Sequence, residues 1–383
     1  MRFEVSKVLD AIEARLSTDP ALARAVVDLA EVVRYADLDG GRPANMLRLG
    51  LVVDALGRLV AEENAPVYVV APRPLLSDAD LTSNERMVVR RWADDGLVEV
   101  VPTDSEERAL EVAELLGLPV LTRSRCDAYR DRHPWVGESG RLWAPVAGQG
   151  GPVLVPQAGK AQLPATSEPS AVGARLLARI WRCPETNCAS FGAAGDSDSP
   201  FADMRRFTNP VAQPPPSLRT GAPSCPRHET RLKDAGERPA VEVLSVRIGG
   251  VVRKRFVVAA GSPVMVGRAP ENGGVMLGQW LTEDARKWIS RSHVRFELRG
   301  AELIAQDVST NGTGLRPGGS MDDDERVSMA REESRVLADA DVVELYGGVL
   351  VGRSRLWSSG GNADPHSVMA EAPTISMQQF NRR

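Results

Sequence analysis

Three groups of residues in this 383-residue chain have types and spacings that could do chemistry. The first lies toward the C-terminus: Gly267-Arg268, then Ser290-Arg291-Ser292-His293, then Asp307-Val308-Ser309-Thr310-Asn311-Gly312-Thr313. An Arg leaving a strand after Gly can pair bidentately with a phosphate. Ser290 and Thr310 would add neutral hydroxyl donors, and the Asn311 amide could hold a peptide main chain. His293 would brace the Ser290 loop. Each piece alone also reads as an ordinary β-turn. The second group is Cys183-Pro-Glu-Thr-Asn-Cys188 followed by Cys225-Pro-Arg-His228. Two short-spaced pairs of this kind can close a tetrahedral Zn2+ site, and four protein ligands leave no open position, so the metal would be structural. Isolated thiols are the alternative, and Cys126 is left over as a reduced bystander.

The third group is acidic. Asp28 ends a strand pattern, Asp104-Ser105-Glu106-Glu107 opens a helix pattern, and Asp127 and Asp131 follow a last strand. In a parallel sheet these places converge at one edge. Clustered carboxylates repel unless a cation such as Mg2+ or Mn2+ intervenes, and such an ion could activate water for phosphodiester cleavage. The plainer reading makes Asp104 to Glu107 a helix start favoured by capping and the macrodipole, and makes Asp127 and Asp131 loop acids. Arg123, Arg125, Arg130 and Arg132 would supply phosphate contacts if RNA binds.

The elements that must position these groups change character along the chain. Helical patterns over Val5–Leu16, Met46–Glu62, Asn84–Ala93 and Ser105–Leu116 alternate with strand patterns over Ala25–Leu29, Val67–Ala71, Leu97–Val101 and Pro119–Thr122, which implies parallel βα units. Residues 136–240 lose that rhythm; Ala171–Trp181 is a helical stretch, and Gln213-Pro214-Pro215-Pro216 can continue neither a helix nor a central strand. Gly192 to Gly221 is expected to loop out from the metal ligands. From Val241 onward, short β-runs separated by turns (Val241–Ile248, Arg255–Val258, Pro263–Val266, Val294–Leu298, Leu303–Asp307, Val342–Leu345, Val349–Arg353) point to a β-sandwich.

Composition narrows the classes. Hydrophobic residues at 43% suffice for real cores, and the length suggests two or three domains. The 47 basic and 51 acidic residues give a net charge of −4, so no global basic field advertises nucleic-acid binding. No run of 18 apolar residues is present, and four cysteines cannot build a disulfide scaffold; both features suit a cytoplasmic protein. Arg far outnumbers Lys, which with abundant Ala, Gly and Val resembles a high-GC bacterial proteome.

Gly-Arg, Ser-x-x-His and Asn-Gly-Thr in this order and spacing resemble the forkhead-associated (FHA) domain, a β-sandwich that binds phosphothreonine peptides through loops at one end. The resemblance implies that Arg268 and Ser290 grip the phosphate, that Arg291 and Thr310 add contacts, and that Asn311 orients the peptide. The insertions Gly273–Trp288 and Pro317–Glu333 depart from the family and leave peptide specificity open. The cysteine segment resembles a zinc ribbon with a Cys3His set. The acid layout, with Arg130-Asp131-Arg132-His133-Pro134-Trp135, resembles the PIN-like nuclease superfamily, especially its NYN branch. That resemblance implies metal ligation by Asp28, Glu106, Asp127 and Asp131, although Asp28-Leu-Ala-Glu31 departs from the family pattern.

The expected organisation is therefore multidomain: a PIN/NYN-like parallel α/β domain over 1–140, a linker over 141–178, a zinc-ribbon-like segment over 179–236, an all-β FHA sandwich over 240–357 and a flexible tail over 358–383. The expected function is phosphothreonine-dependent signalling, with a ribonuclease under Ser/Thr-kinase control as the leading reading and a non-catalytic adaptor as the alternative. Expected partners are a phosphothreonine-containing protein, a Ser/Thr kinase and RNA, with no membrane. Phosphorylated Thr374 would let the tail dock on its own or a neighbour's sandwich.

Overall fold

The computed structural model describes residues 2–137, 140–158, 168–192, 212–219, 221–271, 273–320 and 322–357. The tail and Thr374 lie outside the described residues.

The first unit is built on strands β1 (Ala25–Asp28), β2 (Val67–Pro72), β3 (Val98–Val101), β4 (Val120–Leu121), β5 (Leu142–Val146) and β6 (Val153–Pro156). Their order in the sheet is β3-β2-β1-β4-β5-β6, all parallel except the β5–β6 pair. The central strands are apolar on both faces, as a sheet covered by helices on both sides requires. Ala25 and Val27 face α1 (Arg2–Glu13), α3 (Leu47–Val60) and α4 (Ser83–Asp94), with the short α2 (Leu29–Val32) on the same side. Val26, Tyr68 and Val70 face α5 (Ser105–Leu116). Local signals set the helix ends. Thr82 and Glu85 close a reciprocal capping box on α4, Asp104 caps α5, and Gly117 at φ 70° ends it in the left-handed region that favours glycine.

Two expectations change here. The stretch read as a linker over 141–178 carries β5 and β6, so the sheet of the first unit runs past residue 140. The helical stretch Ala171–Trp181 divides into α6 (Ala171–Leu177) and strand β7 (Arg179–Arg182). Gly173 on α6 lies so close to α5 that an added Cβ would stand 1.9 Å from the Leu115 carbonyl oxygen, so α6 packs directly on the first unit.

Strand β7 pairs antiparallel with β8 (Lys233–Glu237), and this two-stranded ribbon carries a small core of Cys188, Phe191, Cys225 and Leu232. So small a core cannot hold a fold by burial alone.

The last unit is a sandwich of two sheets. One has the order β10-β9-β19-β18-β15-β16, the other β12-β11-β13-β14-β17. The strands are β9 (Val241–Ile248), β10 (Val251–Ala259), β11 (Val264–Gly267), β12 (Val275–Met276), β13 (Val294–Arg299), β14 (Glu302–Asp307), β15 (Thr313–Arg316), β16 (Val327–Met329), β17 (Ser334–Val336), β18 (Val342–Tyr346) and β19 (Val349–Arg353). Leu244, Val246, Phe256 and Val351 from one sheet pack on Val266, Phe296, Leu303 and Ala305 from the other. The alternation along β13 shows the two-faced burial of a sandwich strand, with Val294, Phe296 and Leu298 inside. The Gly273–Trp288 insertion forms β12 and helix α7 (Glu283–Trp288), anchored by buried Ala285.

The sandwich docks on the first unit along the outer edge of β10. The Glu63 N–H donates to the Val252 carbonyl and the Val252 N–H to the Ala61 carbonyl. Arg255 grips Glu62 with its Nε at 2.8 and 2.9 Å, and Arg253 pairs with Glu63 at 2.6 Å.

Candidate functional site

Three loops meet at one end of the sandwich. The first follows β11 at Arg268, the second precedes β13 at Ser290 and Arg291, and the third joins β14 to β15 at Thr310 and Asn311. Main-chain bonds lock the first loop to the second: Arg268 N–H donates to the Ser290 carbonyl and Ala269 N–H to the Arg291 carbonyl. Gly267 makes this approach possible, since a Cβ there would stand 2.0 Å from the Arg291 carbonyl oxygen. His293, fully buried, accepts the Ser290 N–H on Nδ1 at 3.1 Å and donates its own main-chain N–H to Val266. Burial lowers His293 to about 4, so the ring stays neutral and keeps that acceptor.

The third loop is held from within. Asp307, 0% exposed, accepts from the Ser309 N–H at 2.8 Å and the Thr313 hydroxyl at 2.9 Å, and Ser309 Oγ accepts from the Gly312 N–H at 2.8 Å. The loop then reaches across: Thr310 N–H donates to Ser290 Oγ at 3.0 Å. That bond occupies a lone pair of Ser290 and leaves its O–H free to donate. Arg268, Arg291, Thr310 and Asn311 are exposed, and Ser290 is half-buried. Neither Arg268 nor Arg291 forms an ion pair among the described residues. Two uncompensated guanidiniums, a free hydroxyl and loop amides at one rim can take a dianion such as a phosphate monoester. Asn311 differs from expectation in one respect: its Nδ2 already donates to the Trp288 carbonyl at 2.7 Å, tying the loop to the end of α7.

The Cys183, Cys188, Cys225 and His228 ligand atoms all lie within 4.8 Å of one another. A tetrahedral ion about 2.3 Å from sulfur and about 2.0 Å from nitrogen sets sulfur–sulfur edges of about 3.8 Å and sulfur–nitrogen edges of about 3.5 Å. Cys188 and Cys225 are 3.7 Å apart, and His228 Nδ1 is 3.5 Å from both Cys183 and Cys225. The residues fit a four-coordinate metal. A hydrogen bond from Cys225 draws the Cys188 thiol down to about 5, helped by the Phe191 N–H that donates to Cys188 Sγ at 3.3 Å. The same bond, with burial, pushes Cys225 up, so the pair loses its first proton readily and holds the second. A cation would take the place of that proton. Residues 213–217, expected in a looped-out insertion, are buried against α5 and the ribbon instead.

At the carboxyl edge of the first sheet, the structure brings together Asp28, Glu106 and a residue the sequence reading did not select, Glu31. Asp28 is 7% exposed and accepts from Ala30 N–H and Ser105 Oγ, both at 2.9 Å. Burial raises it to about 6, and Glu31 and Glu106 push in the same direction. Glu31 accepts from Thr122 Oγ1 (2.6 Å), Arg123 N–H (2.9 Å) and Ser124 N–H (3.1 Å), and Glu106 accepts from Ser124 Oγ. Among the described residues, Asp127 and Asp131 form no hydrogen bond or ion pair with this group. Cys126, at φ 52°, turns the chain into a one-turn helix, and Asp127 is exposed and paired with Arg130 at 2.6 Å; Asp131 is also exposed. Among the described residues, the Cys3His set is the only group of three or more His, Cys, Asp or Glu gathered within 4.8 Å. The three-residue spacing from Asp28 to Glu31 was the available signal for Glu31. No helix among the described residues is long and apolar enough to cross a membrane.

No family model and no curated protein matches the chain. Several solved FHA domains resemble part of it. The FHA domain of CT664 protein from Chlamydia trachomatis is 21% identical with a TM-score of 0.22, over 29% of this chain and 94% of that one. The FHA domain of human APLF, solved with an XRCC1 bisphospho peptide, is 17% identical with a TM-score of 0.22, over 28% and 96%. The FHA domain of an Arabidopsis thaliana hypothetical protein is 25% identical with a TM-score of 0.22, over 33% and 91%.

Proposed function

We propose that this chain is a phosphothreonine-dependent adaptor in Ser/Thr-kinase signalling, whose C-terminal sandwich is an FHA domain. The observation that carries the reading is the rim of three loops that bears Arg268, Ser290, Arg291, Thr310 and Asn311, with both guanidiniums free of ion pairs among the described residues. Arg268 and Arg291 supply charge to the phosphate, Ser290 Oγ donates to it, Thr310 adds a hydroxyl, and Asn311 meets the peptide main chain. The ligand is a phosphothreonine segment of a partner protein, and phosphorylated Thr374 of this chain is a candidate for the same site. The Cys3His set holds a structural Zn2+, which supplies the cross-link that the small ribbon core lacks.

The first unit is read as a PIN-like scaffold that meets a protein or RNA partner. The ribonuclease reading would need Mg2+ or Mn2+ among Asp28, Glu106, Asp127 and Asp131, and two of these four, Asp127 and Asp131, are exposed. Glu31 is already answered by three donors.

Binding of a degenerate phosphothreonine peptide pool, followed by fluorescence anisotropy, tests the proposal. Arg268→Ala should weaken binding about 100-fold, equivalent to about 2.7 kcal/mol. Unphosphorylated peptides should not bind. Equal affinity for phosphorylated and unphosphorylated pools would sink the reading. Cleavage of single-stranded RNA with Mn2+, abolished in Asp28→Asn, would restore the ribonuclease.

A further inference from the structure

A continuous chain of hydrogen bonds runs from the Cys3His site into the first unit through residues 213–219. On the ribbon side, Gln213 Oε1 accepts from the Trp181 N–H and Gln213 Nε2 donates to the Trp181 carbonyl, both at 3.0 Å, two residues before Cys183. Ser217 bridges to Ser224 and Ser224 to Arg231, bracketing the Cys225–His228 turn. On the other side, three residues on two adjoining turns of α5, Glu107, Arg108 and Glu111, contact the same strap. Arg108, 0% exposed, donates to the Pro215 carbonyl at 2.6 Å and reaches the Pro216 carbonyl at 3.4 Å. Glu111 accepts from Ser217 Oγ at 3.0 Å and from the Leu218 N–H. Glu107 takes Arg219 at 2.9 Å.

The chemistry of the strap suits this role. Consecutive prolines pre-set an extended backbone and bring carbonyl acceptors without competing N–H donors. Residues 213–217 are all buried, so their polar groups depend on these partners. Arg108 also donates to Glu99 on β3, which accepts from Tyr68 on β2, so the strap caps a buried charged network. Removing one side of such a network leaves desolvated charges unanswered, which is more destabilising than losing an exposed contact. The N-terminal turn of α5 carries Ser105 and Glu106, the residues that contact Asp28 and Ser124 at the acid edge.

We infer that the metal-bound ribbon acts as a clamp on helix α5 through residues 213–219, so that metal occupancy of the Cys3His site governs the stability of α5 and the placement of Ser105 and Glu106. The inference rests on the Cys3His set taking Zn2+.

Hydrogen exchange of the full chain, read by mass spectrometry, tests it. The protein is compared as purified, after chelation and after Zn2+ re-addition, with metal content measured in each state. Peptides spanning 105–116 and 213–219 should exchange at least about tenfold faster after chelation and recover on Zn2+ addition, while β13 and β14 stay unchanged. Ser217→Ala should speed exchange over 105–116 by about threefold with Zn2+ content intact. The clamp is overturned if ribbon peptides lose protection while 105–116 keeps it, or if Ser217→Ala leaves 105–116 as in the wild type. A chain that neither contains nor takes up Zn2+ removes the metal reading and the clamp together, and leaves the phosphopeptide reading untouched.

Discussion

The acid edge of the first sheet and the loop end of the sandwich are both rich in charge, yet they treat it in opposite ways. At the acid edge, Asp28 and Glu31 are answered from inside by hydroxyls and main-chain N–H groups, and Asp127 is answered by Arg130. At the loop end, the internal bonds shape the loops, and Arg268 and Arg291 have no ion-pair partner among the described residues. The acid edge turns its carboxylates toward its own donors, whereas the loop end leaves two guanidiniums facing solvent, where an anion could reach them. The two regions also carry titrating groups displaced in opposite senses: burial raises Asp28 to about 6 and lowers His293 to about 4.

The contrast can be broken most sharply at Gly267. Replacing it with Ala drives a Cβ into the Arg291 carbonyl, and backbone cannot move aside as a flexible side chain would. Thermal unfolding should show a loss of about 3 kcal/mol or more, accompanied by loss of phosphopeptide binding although no ligand contact is removed. Unchanged stability would mean that the loops are not shaped as described.

Asp28→Asn probes the other region. A buried acid raised from 3.8 toward 6 contributes stability that is fully present below pH 3.8 and is lost as pH rises through 6. The Asn variant should therefore be more stable than the wild type by about 1–2 kcal/mol at pH 7.5, with the gain shrinking toward pH 4. Melting curves across that range decide the matter; a variant less stable at every pH would show that the ionised carboxylate is needed there. His293 gives the smallest effect and the opposite sign. Its depressed value means stability fully present above pH 6.5 and lost as pH falls toward 4. In the Asp28→Asn background, where the opposing titration is silenced, the chain should lose about 1 kcal/mol between pH 7 and pH 5.5. His293→Asn should flatten that slope, and a slope that persists would assign it elsewhere.

Local features were the most legible in the sequence. Gly-Arg, Ser-x-x-His and Asn-Gly-Thr encode turn shapes and bracing bonds within a few residues, and the loops follow them closely. The Cys-x4-Cys and Cys-x2-His spacings behave likewise, because each pair sits on one tight turn. Features fixed by distant partners were hidden. Strands β5 and β6 are short, contain Pro145 and Pro156, and exist because β4 offers an edge to pair with. The strap looked like a loose insertion because its carbonyls find their donor on Arg108, more than a hundred positions earlier in the chain. The surroundings of Asp127 were equally hidden: it follows Cys126 at φ 52° on a one-turn helix and is exposed and paired with Arg130.

The seam along β10 bears on the order in which the chain is made. Strand β10 is the outermost strand of its sheet, and the main chain of Ala61 and Glu63 covers Val252 on that open side. During synthesis the first unit leaves the ribosome well before β10 exists, and N-terminal domains generally fold first. The emerging sandwich thus meets a folded neighbour that carries two acids for Arg253 and Arg255 and covers the open side of β10 at Val252, one less edge position for another chain to pair with.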